Sequence, residues 1–408
     1  MEEKDLFLRY LDYVADSESP VVYHRWTFLS IIGALLGRQL YIPFGHSVIY
    51  PNQYIILMGS PGARKGSAIS VGQKLLKETG YNKFAPDTAS KEMFIAGMGR
   101  TPQDEENLDI EELCIDDPTE TFVIADEMND FLGQNDLAFC TKLTKLWDNK
   151  EDYIHPKLHG KSVYVYKPTV SILGGNTQQN LSLAIPSEAI GNGFCSRILF
   201  IHSEPSGRLI TFPKGPPQEA VDFMIERFKN IKNNMKGALN FSDDGKIVID
   251  KIYKSFIPID DNRFHHYSTR RFTHFLKICT ILSAASLSMT VTKEIAIRAN
   301  TILHQAEKNM PKALGEFGKA KNSGVVATIL SYLISNPGPK DMKEIWKVVA
   351  RDLTKYSDLT DIMSGLIRAE KVQILRIGKK SGYVPLHVET REWDPELVNL
   401  EYLTLEEQ

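Results

Sequence analysis

The chain has 408 residues, 42% hydrophobic and 24% charged, with a formal net charge of −3. That length exceeds one ordinary core and sets an expectation of about two to four domains. The charge excludes a surface that is basic everywhere, though not a local basic patch. Cys114, Cys140, Cys195 and Cys279 lie far apart with no C-x-x-C pair, so reduced thiols are expected, not a disulfide frame or zinc site. The opening MEEKDLFLRYL is acidic and amphipathic, unlike a signal peptide. The longest apolar run, Trp26 to Gly37, is too short to span a bilayer. A soluble cytoplasmic protein without a membrane partner is expected.

In chain order, residues 1–50 read as helices (DLFLRYLDYVAD, RWTFLSIIGALLG) followed by a short strand at Leu40–Pro43. Residues 51–205 alternate helix signals with strands at Tyr54–Met58, Thr121–Ala125, Thr169–Gly174 and Ile198–His202. That alternation predicts an α/β layer with a mostly parallel sheet. Asp104 to Glu120 holds nine carboxylates and no Lys or Arg, and is read as a solvated loop. A Pro- and Gly-rich linker, EPSGRLITFPKGPPQ, ends this block, and residues 206–318 form a mainly helical segment. Residues 319–388 give three helices and then two strands around Lys-Lys-Ser-Gly, the order of a winged helix. Residues 389–408 read as a loosely held acidic tail.

The most informative stretch is Gly59-Ser60-Pro61-Gly62-Ala63-Arg64-Lys65-Gly66-Ser67, directly after the apolar strand Tyr54–Met58. A strand, a glycine-rich turn and a helix start offer backbone N–H groups and a lysine to phosphate oxygens. Arg64 stands where the last glycine of G-x-x-x-x-G-K-[ST] is expected, and Gly66 where Ser or Thr is expected. Phosphate loops of the adenylate-kinase kind also read G-x-P-G-x-G-K-G-[ST], which makes Ser67 the candidate hydroxyl near Mg²⁺. The side chain of Arg64 is expected either to point away from the phosphates or to add charge to them.

Three later strands supply partners. Thr121–Ala125 delivers Asp126 and Glu127, a carboxylate for Mg²⁺ and one to polarise the attacking water. Thr169–Gly175 delivers Asn176, an amide able to orient that water. Gly193-Phe194-Cys195-Ser196-Arg197 precedes Ile198–Ile201. Arg197 is read either as an outward arginine that reaches a neighbour's nucleotide or as a surface arginine paired with a carboxylate.

In order and spacing, GSPGARKGS, TFVIADE, SILGGNT and GFCSR resemble AAA+ ATPases. The arginine, helical segment and C-terminal winged helix resemble minichromosome-maintenance-type helicases, and more closely the replicative-helicase-like ATPases of phages and mobile elements. The resemblance implies an AAA+ core at 51–205, a lid at 206–318 and a winged helix at 319–388. It makes Lys65 the Walker A lysine, Asp126 and Glu127 the Walker B pair, Asn176 sensor 1 and Arg197 the arginine finger. Arg270 or Arg271 falls where such lids carry a sensor 2 arginine. It also implies ATP and Mg²⁺ as cofactors, a homo-oligomer of about six subunits, and single-stranded and forked DNA as partners.

Residues 151–165 alternate around Lys-Leu-His-Gly and are expected to form a hairpin. By the resemblance it enters a central pore, where Lys157, His159 and Lys161 would contact one strand's phosphates; an exposed hairpin with ordinary lysines is the other reading. Lys379 and Lys380 at the wing tip would hold duplex phosphates, unless the winged helix serves protein contacts. The expected function is an ATP-dependent, ring-forming DNA helicase. Its rivals are an ATP-switched loader or initiator, a non-motor DNA-binding protein and a small-molecule kinase.

Overall fold

Every residue of Tyr54–Met58 and of Thr169–Asn176 is buried, the pattern of strands covered on both faces. In the computed structural model these segments form the centre of a four-stranded, all-parallel sheet flanked by helices. Its strands are β1 (Tyr54–Met58), β2 (Glu120–Ala125), β3 (Thr169–Asn176) and β4 (Ile198–His202), in the order β2-β3-β1-β4. Met58 is level with Asn176 and His202, and Ala125 with Gly174. The structure describes residues 5–86, 91–98, 118–149, 153–155, 163–191, 193–315, 317, 323–368, 371–377, 380–386 and 393–408. Most of the acidic stretch at 104–120 lies outside them; Glu120 itself opens β2, with Lys83 Nζ at 2.6 Å.

The chain divides into two compact units, 1–317 with 393–408, and 318–392. In the first, helix α1 (Leu6–Tyr13) leads to α2 (Val21–Leu36), buried at every position from Tyr23 to Leu36. A helix without a polar face belongs in a core. It packs against helix α3 (Lys65–Glu78) so closely that a side chain at Gly72 would meet Thr27 Cγ2 at 2.3 Å. Helix α4 (Leu137–Trp147) covers β3. The later helical segment contributes α5 (His265–Ala285) and α6 (Lys293–Leu314), which packs on β4. Leu40–Phe44 pairs in parallel with Gly237–Ala238, joining the N-terminal and late helical segments.

The expectation of a loose acidic tail is corrected. Residues 393–408 pack on the first unit, with Leu397 and Leu403 buried. Asn300 Nδ2 donates to the Leu397 carbonyl (2.7 Å), and the Asn399 N–H to Thr301 Oγ1 (3.0 Å). Glu407 forms a two-point ion pair with Arg25 of α2, Nη2 to Oε2 at 2.6 Å, with both side chains at most 3% exposed.

The second unit holds the helices Ser323–Ser335, Met342–Val349 and Tyr356–Arg368 and the antiparallel pair Val372–Ile377 and Lys380–Pro385. Ile329, Leu333, Ile345, Leu359 and Met363 form its core, and Lys340 adds a bridge to Tyr383. Asp341 and Glu344 form a reciprocal capping box at the second of these helices.

Glu407→Ala strands the Arg25 guanidinium inside the protein, and a loss of about 3–5 kcal/mol of unfolding free energy is expected in urea denaturation. The double change Arg25→Met with Glu407→Leu is expected to recover most of it. A loss under about 1 kcal/mol for Glu407→Ala would show that the tail is not anchored this way.

Candidate nucleotide-binding site

Parallel strands bring their carboxyl ends to one edge of a sheet, where ligands of such layers bind. Here that edge carries Gly59 after β1, Asp126 after β2 and Asn176 at the end of β3, the Asn strand lying between the other two. The glycine-rich loop closes on its own lysine: Lys65 Nζ donates to the carbonyls of Gly59 (3.0 Å) and Ser60 (2.9 Å) and is 8% exposed. Burial lowers the lysine's pKa, against the opposing pull of Glu127. From below, the Tyr23 hydroxyl of α2 sits 2.7 Å from the Met58 carbonyl and 3.0 Å from that of Ser203. A side chain at Gly59 would strike that hydroxyl at 2.4 Å, so the first glycine is needed for close approach.

Arg64 has φ +60° and ψ +31°, the left-handed conformation that suits the glycine it replaces. A non-glycine residue there costs about 1–2 kcal/mol. Two contacts from the segment before α2 hold it. Ser19 Oγ donates to the Arg64 carbonyl (2.8 Å), and the guanidinium pairs with Glu18 at 2.6 Å. The second carboxylate oxygen of Glu18 accepts the Ile210 N–H (2.8 Å), and this bond with the Arg64 pair keeps Glu18 below its usual pKa. Of the two expected orientations for Arg64, the structure has the side chain turned to Glu18.

Ser67 and Asp126, expected to share a metal, meet different sides of the start of α3. A Cβ built on Gly66 would point at Asp126, 3.4 Å from its Cγ and Oδ1. Ser67, about 100° further round the helix, opens into a groove with Arg64, Val71 and Lys74. Partial burial raises the Asp126 pKa above the ordinary carboxylate value. Behind it, a side chain at Gly175 would meet the Asp126 carbonyl at 2.6 Å. Among the described residues no group of three or more His, Cys, Asp or Glu gathers as a metal centre.

Glu127 is exposed and precedes the short helix Met128–Leu132. Asn176 is fully buried: its Oδ1 accepts the Thr177 N–H (2.9 Å) and its Nδ2 donates to Asn129 Oδ1 (3.0 Å). The amide nearest Glu127 is instead Asn180 Nδ2, at 3.5 Å. Thr177 caps the helix Gln178–Ala184 that carries Asn180. Sequence reasoning passed over Asn129, Asn180, Glu18 and Tyr23; the only signal was an Asn one helical turn after Asn176.

The three arginines go elsewhere. Arg197 precedes Ile198, which pairs with Tyr54 at the start of β1. It therefore lies at the opposite edge of the sheet, roughly 13 Å of strand from the loop. It is 4% exposed and grips Asp148 (Nη2 to Oδ2 2.7 Å, Nε to Oδ1 3.1 Å) and the Gly193 carbonyl (2.7 Å). Carboxylate pairing is what the structure has, but buried and not at the surface. Arg270 shares Asp148 at 3.5 Å and is about one-third exposed. Arg271 is buried against Glu307 (2.7 Å) and Asn300 (2.9 Å), so it is a packing residue. Neither arginine reaches the glycine-rich loop. Lys277, which the sequence left unremarked, is buried in this cluster and donates to the Tyr50 carbonyl (2.8 Å) and Asn52 Oδ1 (2.5 Å). Burial pushes its pKa well down.

Lys157, His159, Lys161 and Lys379 lie outside the described residues, as does the side chain of Lys380. The hairpin's base is present, with Tyr153–His155 antiparallel to Val163–Val165. No helix among the described residues is long and apolar enough to cross a membrane. No protein-family model matches the chain, and no curated protein is similar to it.

His274 stacks on Tyr267 beside Arg197, donating from Nε2 to the Ser196 carbonyl (3.0 Å). Burial lowers its pKa from 6.5 to about 3, and those of His24 and His304 to about 4. The unfolded chain then binds protons these folded groups refuse. Stability is expected to be complete above pH 6.5 and to fall as pH drops toward 4, by about 1.4 kcal/mol per pH unit per histidine. His274→Asn is expected to flatten the slope of denaturation free energy against pH by about one such share; an unchanged slope would contradict the assignment.

Proposed function

We propose that the chain is an ATP-dependent DNA motor, an AAA+ ATPase of the replicative-helicase-like kind with a C-terminal winged helix. One observation carries this reading: Lys65, Asp126 and Asn176 are delivered to a single edge by three adjacent parallel strands. In this reading the N–H groups at the start of α3 and the Lys65 ammonium bind the phosphates of ATP. Asp126, facing the bare Cα of Gly66, holds Mg²⁺, which would supply charge neutralisation at the phosphates. Glu127 polarises the attacking water, and Asn180 and Asn176 orient that carboxylate and its surroundings.

Arg197 cannot serve its own site from the far edge of the sheet. A role in phosphoryl transfer requires a neighbouring subunit and release from Asp148, hence a homo-oligomeric ring of about six subunits. The hairpin that carries Lys157, His159 and Lys161 would draw single-stranded DNA, and Lys379 and Lys380 would hold the duplex of a fork. The order of three helices, a hairpin and the Lys340 bridge supports a winged helix.

The alternative is an ATP-switched loader or initiator that binds DNA without unwinding it. The buried Arg197–Asp148 pair favours it, because a locked arginine implies slow turnover.

ATP hydrolysis and displacement on a forked substrate separate these readings. Lys65→Ala is expected to abolish ATP binding, and Glu127→Gln to retain binding while abolishing both hydrolysis and unwinding. Arg197→Ala is expected to cut turnover on the order of 10³-fold or more. Full ATPase activity in Arg197→Ala at every protein concentration would end the ring model, and DNA binding without displacement would favour the loader.

A further inference from the structure

Beside the loop, on the face of α3 away from Asp126, lies a groove of about 430 Å³. Its walls come from three separate stretches: the end of α1 with the turn after it, the first three turns of α3, and the linker that follows β4. Val14, Val71, Ile210 and Pro213 give it apolar surface, while Asp16, Glu18, Arg64, Lys74 and Lys214 supply polar groups. A concavity that joins apolar surface to convergent charged groups suits a small organic ligand with both kinds of surface. The linker wall is pinned, with the Lys214 N–H donating to Asp16 Oδ2 (2.9 Å) and Ser206 Oγ to the Glu18 carbonyl (2.5 Å).

The groove and the phosphate loop share Arg64 and Ser67. Gly66 directs one side of the helix start toward Asp126; Ser67 directs the other toward the groove. A chain of phosphates laid over this helix start, with its reacting end at the carboxylates, has its other end at the groove. Arg64 stands where the two meet. Its backbone keeps the strained left-handed form, its guanidinium is held by a single carboxylate, and its side chain is 55% exposed. Strain of this kind persists where neighbouring structure enforces it and clusters at functional sites. A guanidinium offers a flat face for stacking on a base and several donors for sugar or phosphate oxygens.

We propose that this groove takes the nucleoside half of a nucleoside triphosphate, and that Arg64, positioned by Glu18, is its specificity-determining residue. The proposal rests on the loop being a phosphate site. Replacing the glycine by arginine then adds a nucleoside contact at the mouth of the cradle, and the N-terminal segment becomes part of the ligand site.

The test compares binding of ATP and of inorganic triphosphate, with Mg²⁺, to the full chain by calorimetry. The wild-type protein is expected to bind ATP at least 100-fold more tightly than inorganic triphosphate. Arg64→Gly, which suits the backbone, and Val71→Phe, which fills the groove, are each expected to lose at least tenfold in ATP affinity and less than threefold for triphosphate. Equal affinities for the two ligands in the wild type would overturn the groove assignment. So would variants that lose both ligands in parallel. In either case the phosphate reading survives if Lys65→Ala still abolishes both. If the wild type binds neither ligand, the phosphate reading fails and the groove proposal with it.

Discussion

The parallel pairing of β1 with β3 is the constraint on which the site depends. It sets Met58 level with Asn176, and the same direction in β2 sets Ala125 level with Gly174. Were β3 antiparallel, Asn176 would end at the far edge of the sheet and Lys65 would face no polar neighbours from that strand. Parallel strands require long crossovers, and burial on both faces follows from the helices those crossovers contain. The apolar runs that make β1 and β3 are thus the same feature that lets polar residues appear only at their ends.

The sheet has two polar edges with opposite character. At the carboxyl ends the glycine-rich loop, Asp126 and Glu127 are within reach of solvent. At the amino ends Arg197, Arg270, Lys277 and Asp148 pack around Trp147, three cations against one carboxylate. Asp148 and the carbonyls of Gly193 and Tyr50 compensate most of that charge, and the low pKa of Lys277 follows from its desolvation.

Much of the fold was legible because apolar runs and their glycine punctuation are local signals. The four strands begin and end within two residues of their expected positions. The site was legible where one residue sits at a strand end, as for Asp126 and Asn176, because strand direction alone places it. It failed where helical phase or long-range partners decide. One step along α3 separates Gly66, which faces Asp126, from Ser67, which faces the groove. Arg64 could not be understood without Glu18, 46 positions earlier, whose proximity no local pattern announces. The tail misled through composition: its carboxylates suggested solvent, yet Trp393, Leu397 and Leu403 anchor it and Glu407 has a buried partner.

Those long-range partners converge on α2 and the turn before it. Glu18 and Ser19 hold Arg64, Tyr23 supports the end of β1, and Arg25 receives Glu407 from the far end of the chain. All four lie within eight consecutive positions. An arginine suits the last of these roles better than lysine, since its planar fork meets both carboxylate oxygens and still donates to the Tyr402 carbonyl. A buried helix without a polar face has little freedom to shift. The glycine-rich loop, the linker beyond β4 and the C-terminal segment are therefore braced against one rigid strut and the turn before it.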